Sequence, residues 1–305
     1  MGPFLFNLFS DREIIKLGPP FLQRPLARLI ATLRSGKTES MYRLIGGKSP
    51  LLEITASQAK ALEEALNSGS GIRNSEFKVY VGMRYWRPYI EHTVKQMHAD
   101  GIKDVVGLSL YPHYSIATTG SAMSKFDEAV KQYAMNSCRI SSWYNHPMYI
   151  DALVDSIETG LAAFPGTDVE VLFSAHSLPL SIVDSGDPYV SHIEGTIEKV
   201  KERIDIKWHL SYQSKSGPVK WLQPSTDDKI RELALHGVKN LLVVPVSFVS
   251  DHIETLYEID ILYKEMAGRL GIRLVRAESF NTRPMFIGAL EDLVMSAIKD
   301  CGWTG

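Results

Sequence analysis

Cysteine is nearly absent from this 305-residue chain: only Cys138 and Cys301 occur, far apart in sequence. Two such thiols predict neither a disulfide-stapled scaffold nor a four-cysteine cluster, and a reducing compartment is the simplest reading. Excess charge is also missing. With 33 basic and 35 acidic residues the formal net charge is −2, and there is no basic run, so a nucleic-acid partner has no support. No segment approaches the roughly 20 uncharged apolar residues that span a bilayer. The start, "MGPFLFNLFSDRE", is brief and soon charged, unlike a cleaved signal, so a cytoplasmic location is expected. No G-x-G-x-x-G or Walker loop is present either. The glycine stretch "RLIGGKSP" (Arg43–Pro50) lacks the strand and spacing of a phosphate loop.

What the chain does contain is ordinary in bulk, 45% hydrophobic and 22% charged, at a length that suggests two domains. Apolar runs of strand length alternate with amphipathic helical stretches. "KVYVGMRYW", "DVVGLSLYP", "VEVLFSAHS", "IKWHLSYQS", "NLLVVPVSF" and "IRLVRAESF" each stand beside a helical pattern. Continuously apolar strands are buried on both faces, which predicts an α/β fold with a parallel sheet covered by helices. "GIKDVVGLSLYP" (Gly101–Pro112) and "GVKNLLVVPVSF" (Gly237–Phe248) share a helix-ending glycine, a short polar link and a buried strand. Two similar doubly wound halves would explain the match: residues 1–140 and 141–282, joined near "CRISSWYNHP", with a last helix (283–305) packing back on the first half.

Ligands of open parallel sheets bind beyond the carboxyl ends of the strands. The loops there hold His113, His176, His252, Glu254 and Glu258, with Tyr85, Trp86, Tyr111, Tyr114, Tyr212, Trp221 and Phe248. A histidine at a strand end is most often structural. His176 gains weight because the equivalent end in "FVSDHIETLYEID" offers His252 and Glu254. An imidazole facing a carboxylate across a cleft suits proton abstraction, metal coordination or both. With neither H-E-x-x-H nor a cysteine pair, a transient divalent metal is expected rather than structural zinc. Asp251 with Glu254 reads as a capping box. Asp251, Glu254 and Glu258, at steps of three and four, are expected on one helical face, as an acidic line. The aromatics favour a flat apolar ligand. The segment Asn7–Ser35, with Arg24, Arg28 and Arg34 among Phe and Leu, reads as an amphipathic lip or a patch for a membrane surface.

The segments "LFSAHSLP", "DPY" (Asp187–Tyr189), "YQSKSGPVKWLQPSTD", "FVSDHIETLYEID", "YPHYSIATTGS" and "YRLIGGKSP" together resemble the ferrochelatases, in order and across nearly the whole chain. The resemblance implies two Rossmann-like halves flanking a porphyrin cleft, without nucleotide. It implies insertion of Fe²⁺ into protoporphyrin IX with release of two protons. It places His176 and Glu254 at the metal-insertion centre, Asp251, His252 and Glu258 on an acidic line into it, and Tyr114, Trp221 and Phe248 against the macrocycle. Arg43 would meet a propionate. Porphyrin and ferrous iron are then the partners of a monomer or homodimer, with no tightly bound cofactor. Two cysteines preclude the [2Fe–2S] cluster that many members carry. Members begin with an apolar strand that is not seen ahead of "MGPFLFNLF", so the first sheet is expected to lack it. A chelatase for coproporphyrin III and a non-catalytic porphyrin or metal carrier are the competing readings.

Overall fold

The computed structural model describes residues 2–12, 17–69, 76–215 and 219–303. Residues 13–16 of the expected lip, and 216–218 of the loop after "YQSK", lie outside the described residues.

Three helices come first: α1 (Gly2–Ser10), α2 (Gln23–Leu44) and α3 (Leu51–Gly69). Then α4 (Ile90–Ala99), β1 (Asp104–Leu108), α5 (Ser121–Gln132) and β2 (Asn136–Ile140) build the first half. The second half comprises α6 (Pro147–Leu161), β3 (Glu170–His176), α7 (Leu180–Val183), α8 (Tyr189–Lys201), β4 (Trp208–Gln213), α9 (Thr226–Leu235), β5 (Asn240–Val244), α10 (Lys264–Arg269) and β6 (Arg273–Arg276). A π-helix, Glu254–Tyr263, precedes α10, and α11 (Pro284–Asp300) ends the fold.

The second half holds a four-stranded parallel sheet in the order β4-β3-β5-β6. Leu172, Phe173, Leu241, Leu242 and Val243 on its two inner strands have no exposed surface, each side chain contributing about 1.5–3 kcal/mol by its burial. The approach of α6 is so close that a Cβ on Gly160 would lie 2.6 Å from Leu242 Cδ1. In the first half, β1 pairs in parallel with β2 alone. Val106, Gly107 and Leu108 line a cavity instead of meeting another strand, so this sheet is only half-buried.

The helix ends expected of the two matched segments are present in the backbone. Gly101 and Gly237 follow α4 and α9 at φ of +80° and +85°. In both, the next amide returns to the helix: Ile102 N–H donates to Met97 O and Val238 N–H to Leu233 O, each in a Schellman closure before a strand. Other expectations fail. Lys78–Trp86 forms no strand; helix side chains take part of its backbone bonding, with Val79 N–H donating to Glu63 Oε2 and Thr93 Oγ1 donating to Val81 O. Pro88 lies outside α4, ahead of the cap residue Tyr89. The two cysteines, far apart in sequence, are brought together by α11, which lies against α3, β1, β2 and α6; their Cα atoms are 6.5 Å apart. No helix among the described residues is long and apolar enough to cross a membrane.

Candidate active site

His176 is the last residue of β3, where an inner strand of the sheet opens into a cavity of about 2660 Å³. Its main chain is held from two sides: its N–H donates to Ser247 Oγ at 2.7 Å, and its carbonyl accepts from the Tyr189 hydroxyl at 2.9 Å. The side chain meets the first residue of the π-helix, with His176 Nδ1 2.7 Å from Glu254 Oε2. Both side chains are half-buried. Burial alone would depress the His176 pKa, but the charge and hydrogen bond of Glu254 and the charge of Glu258 raise it. For Glu254, burial acts upward and is outweighed by His176 and His252 and by the Ser214 hydroxyl, so the carboxyl is driven down. The two shifts run in opposite directions and both favour the imidazolium–carboxylate form of the pair.

Ser214 completes a second step. Its Oγ is 2.7 Å from Glu254 Oε2 and 2.6 Å from Glu258 Oε2, while Gln213 Nε2 donates to Glu254 O and to Glu258 Oε2. A hydroxyl has one proton to donate, so two contacts this short require a carboxyl to donate in return. Glu258 is that carboxyl. Burial and the charge of Glu254 raise its pKa to about 7. Ser214 adopts φ +67°, a left-handed conformation uncommon outside glycine, which turns its hydroxyl between the two acids. Neither Gln213, the last residue of β4, nor Ser214 directly after it stands out in the sequence.

The acidic line differs from its expected geometry at one end. The helix begins only after Ile253, so Asp251 precedes it and shares no face with Glu254 and Glu258. Its carboxylate accepts from Arg276 Nη1 at 3.0 Å, from Ser279 Oγ and from Asn281 Nδ2, and Arg276 also binds Asp260. Burial would raise the Asp251 pKa, but Arg276 and these donors lower it. No capping box forms. Thr255 Oγ1 instead accepts from the His252 N–H at 3.0 Å, in the turn ahead of the helix. His252 is lowered by burial, donates Nδ1–H to Ser250 O at 3.1 Å and packs its ring 4.3 Å from that of Phe248. A neutral imidazole suits a helix start, where a protonated one would face the positive end of the helix.

Phe248, Trp221 and Arg43 line the cavity, and Arg43 is exposed near the end of α2. Tyr114 does not line it: its N–H donates to His192 Nδ1, and a Cβ on Gly120 would lie 2.9 Å from the Tyr114 hydroxyl oxygen. Tyr111 lines it instead. Among the described residues no three His, Cys, Asp or Glu side chains converge as a metal-holding group. The pair His176–Glu254 offers one imidazole and one carboxylate that can move a proton, with Glu258 one hydroxyl away.

The sequence profile described as Ferrochelatase matches residues 1–298. A ferrochelatase of Geobacter metallireducens is 50% identical over 300 residues, covering 97% of this chain and 92% of that protein. A ferrochelatase of Synechocystis sp. is 45% identical over 309 residues, covering 98% and 78%. Among solved structures, SirB from Bacillus subtilis with Fe³⁺ superposes with a TM-score of 0.57 at 12% identity, over 81% of this chain and 91% of that one, a likeness of fold. With a profile match over nearly its whole length and relatives at about half identity, the chain belongs to the ferrochelatase family.

Proposed function

We propose that the protein inserts Fe²⁺ into protoporphyrin IX, with His176 and Glu254 as the groups that meet the metal and the pyrrole protons. The observation that carries this is the 2.7 Å contact of a strand-end imidazole with a π-helix carboxylate in the wall of a large cavity. A porphyrin keeps its nitrogen lone pairs in the ring plane, so metal entry needs a bent ring and the loss of two N–H protons. Phe248 and Trp221 supply rigid walls that favour the bent ring, which is binding energy used at the transition state. The pair already shares one proton. It accepts another only after handing its own on, and Glu258 takes that proton through Ser214 once it has released its own to the cavity it lines. Each Fe²⁺ that enters replaces two protons, so charge is conserved across the step.

Protoporphyrin is favoured over coproporphyrin III by the apolar surface of the lip segment. Phe21, Leu29 and Leu33 there are 76%, 55% and 73% exposed, and Leu44 at the end of α2 is exposed as well. Arg24 and Arg28 lie over the Phe6 ring and Arg34 over Phe9, and all three remain exposed. Apolar side chains interleaved with cations also suit resting on an anionic membrane surface. The reaction needs no resident cofactor, and two cysteines cannot supply the four thiolates of a [2Fe–2S] cluster.

The test is metal insertion, with protein, protoporphyrin IX and Zn²⁺ or anaerobic Fe²⁺, followed by loss of free-porphyrin fluorescence. Glu254→Gln and His176→Ala are each expected to lower the rate by about 10²-fold or more, the usual weight of a positioned proton-transfer group. Porphyrin binding without turnover in the parent protein would favour a carrier and overturn the reading.

A further inference from the structure

We infer that Cys138 and Cys301 are a reversible disulfide site that clasps the C-terminal helix to the first-half sheet. The Cα separation of 6.5 Å lies within the range a disulfide spans. Both backbones are fixed independently of any bond between the sulfurs. Cys138 sits mid-strand in β2, opposite Val106 of β1 in a continuous parallel register. Cys301 caps α11, where Gly302 at φ +72° closes a Schellman motif: Gly302 N–H donates to Lys299 O and Trp303 N–H to Ile298 O. The buried Cys138 Sγ already lies on the last turn of that helix, 3.5 Å from Ala297 O, the carbonyl that also accepts from Cys301 N–H. The helix end is thus held by its own hydrogen bonds as well as by the sulfurs.

Accessibility sets the order of events. Cys301 is exposed and Cys138 is 4% exposed, so exchange starts at Cys301. Its thiolate attacks a low-molecular-weight disulfide such as oxidised glutathione, releasing one reduced thiol and leaving a mixed disulfide on Cys301. The Cys138 thiolate then attacks Cys301 Sγ and releases the second thiol. Two protein thiols lose two electrons and two protons, and one small disulfide becomes two thiols. The bond closes a loop over half the length of the chain. It holds in place the helix whose Leu290, Val294 and Ile298, with Trp303 beyond it, wall the cavity. The inference rests on the packing of α11 and is independent of the proposed reaction.

The experiment is to equilibrate the purified full chain with oxidised glutathione, or with excess dithiothreitol, and to measure intact mass, thiols titratable after denaturation, and the melting temperature. The oxidised protein is expected to be lighter by two hydrogens, with no titratable thiol against two after reduction. Its melting temperature should rise by about 5–10 °C on oxidation, from the loop-closure entropy. Cys301→Ser, at an exposed position, should fold and show no such rise. Two free thiols at equilibrium with oxidised glutathione, or stable glutathione adducts in place of the internal bond, would overturn the inference. A rise retained in Cys301→Ser would do so too.

Discussion

Replacing Glu258 by glutamine removes a charge and keeps the shape, so its effect on stability must change with pH in a calculable way. Burial and the charge of Glu254 raise the folded-state pKa from an ordinary 4.5 to about 7. Below about 4.5 the side chain is protonated in both folded and unfolded chains, and glutamine is nearly isoenergetic with it. Between 4.5 and 7 the folded chain still holds a proton that the unfolded chain has lost, so the Glu258 contribution to stability is lost progressively as pH rises through that window. Above 7 the folded protein carries a second carboxylate beside Glu254. Each pKa unit is worth 1.36 kcal/mol, so a displacement of this size amounts to about 3 kcal/mol. Glu258→Gln is therefore expected to match the parent near pH 4.5 and to exceed it by about 3 kcal/mol at pH 8, on the order of 6 °C in melting temperature. Differential scanning calorimetry of both proteins across this range is the assay. A difference that does not vary with pH, or that shrinks as pH rises, would refute the proton assignment at Ser214 and with it the proton path.

Two further outcomes are expected. Arg276→Met leaves Asp251 and Asp260 without their shared cation, and breaking so buried a pair should cost about 3 kcal/mol, read as a lower urea midpoint; a loss below about 1 kcal/mol would mean the network contributes little. The parent protein should co-sediment with anionic phospholipid vesicles, and Phe21→Glu with Leu33→Glu should abolish this without slowing zinc insertion in detergent; a parent that stays in the supernatant rejects the membrane contact.

The sheet of the second half was legible because its inner strands are apolar on both faces, a pattern that helices and loops do not produce over such short runs. The equivalence of Gly101 and Gly237 was legible for a similar reason: only one backbone conformation ends both helices. His176 and Glu254 could be paired because strand ends in such a sheet share one side. What was not legible depended on hydrogen bonding that periodicity does not encode. Asp251 was assigned to a helical face three residues from Glu254, yet the helix opens after Ile253 and Arg276, on β6, claims the carboxylate. Lys78–Trp86 has a strand's composition, but Glu63 and Thr93 bond its backbone, a choice made by α3 and α4. Tyr114 and Tyr111 differ only in which side of one loop they take. The meeting of the two cysteines required knowing where the final helix returns.

The short stretch Asp187–Tyr189 has a mechanical consequence. The Asp187 carboxylate accepts from Ser115 Oγ and Ile116 N–H in the first half, and two residues later the Tyr189 hydroxyl grips the carbonyl of His176. A carboxylate in this position acts as a spacer of fixed length between the halves. Separating them along this edge would break two charge-assisted bonds, about 1.5–3 kcal/mol each, and pull on the backbone that aims the imidazole. This edge therefore stays closed, and the His176–Glu254 pair stays with it.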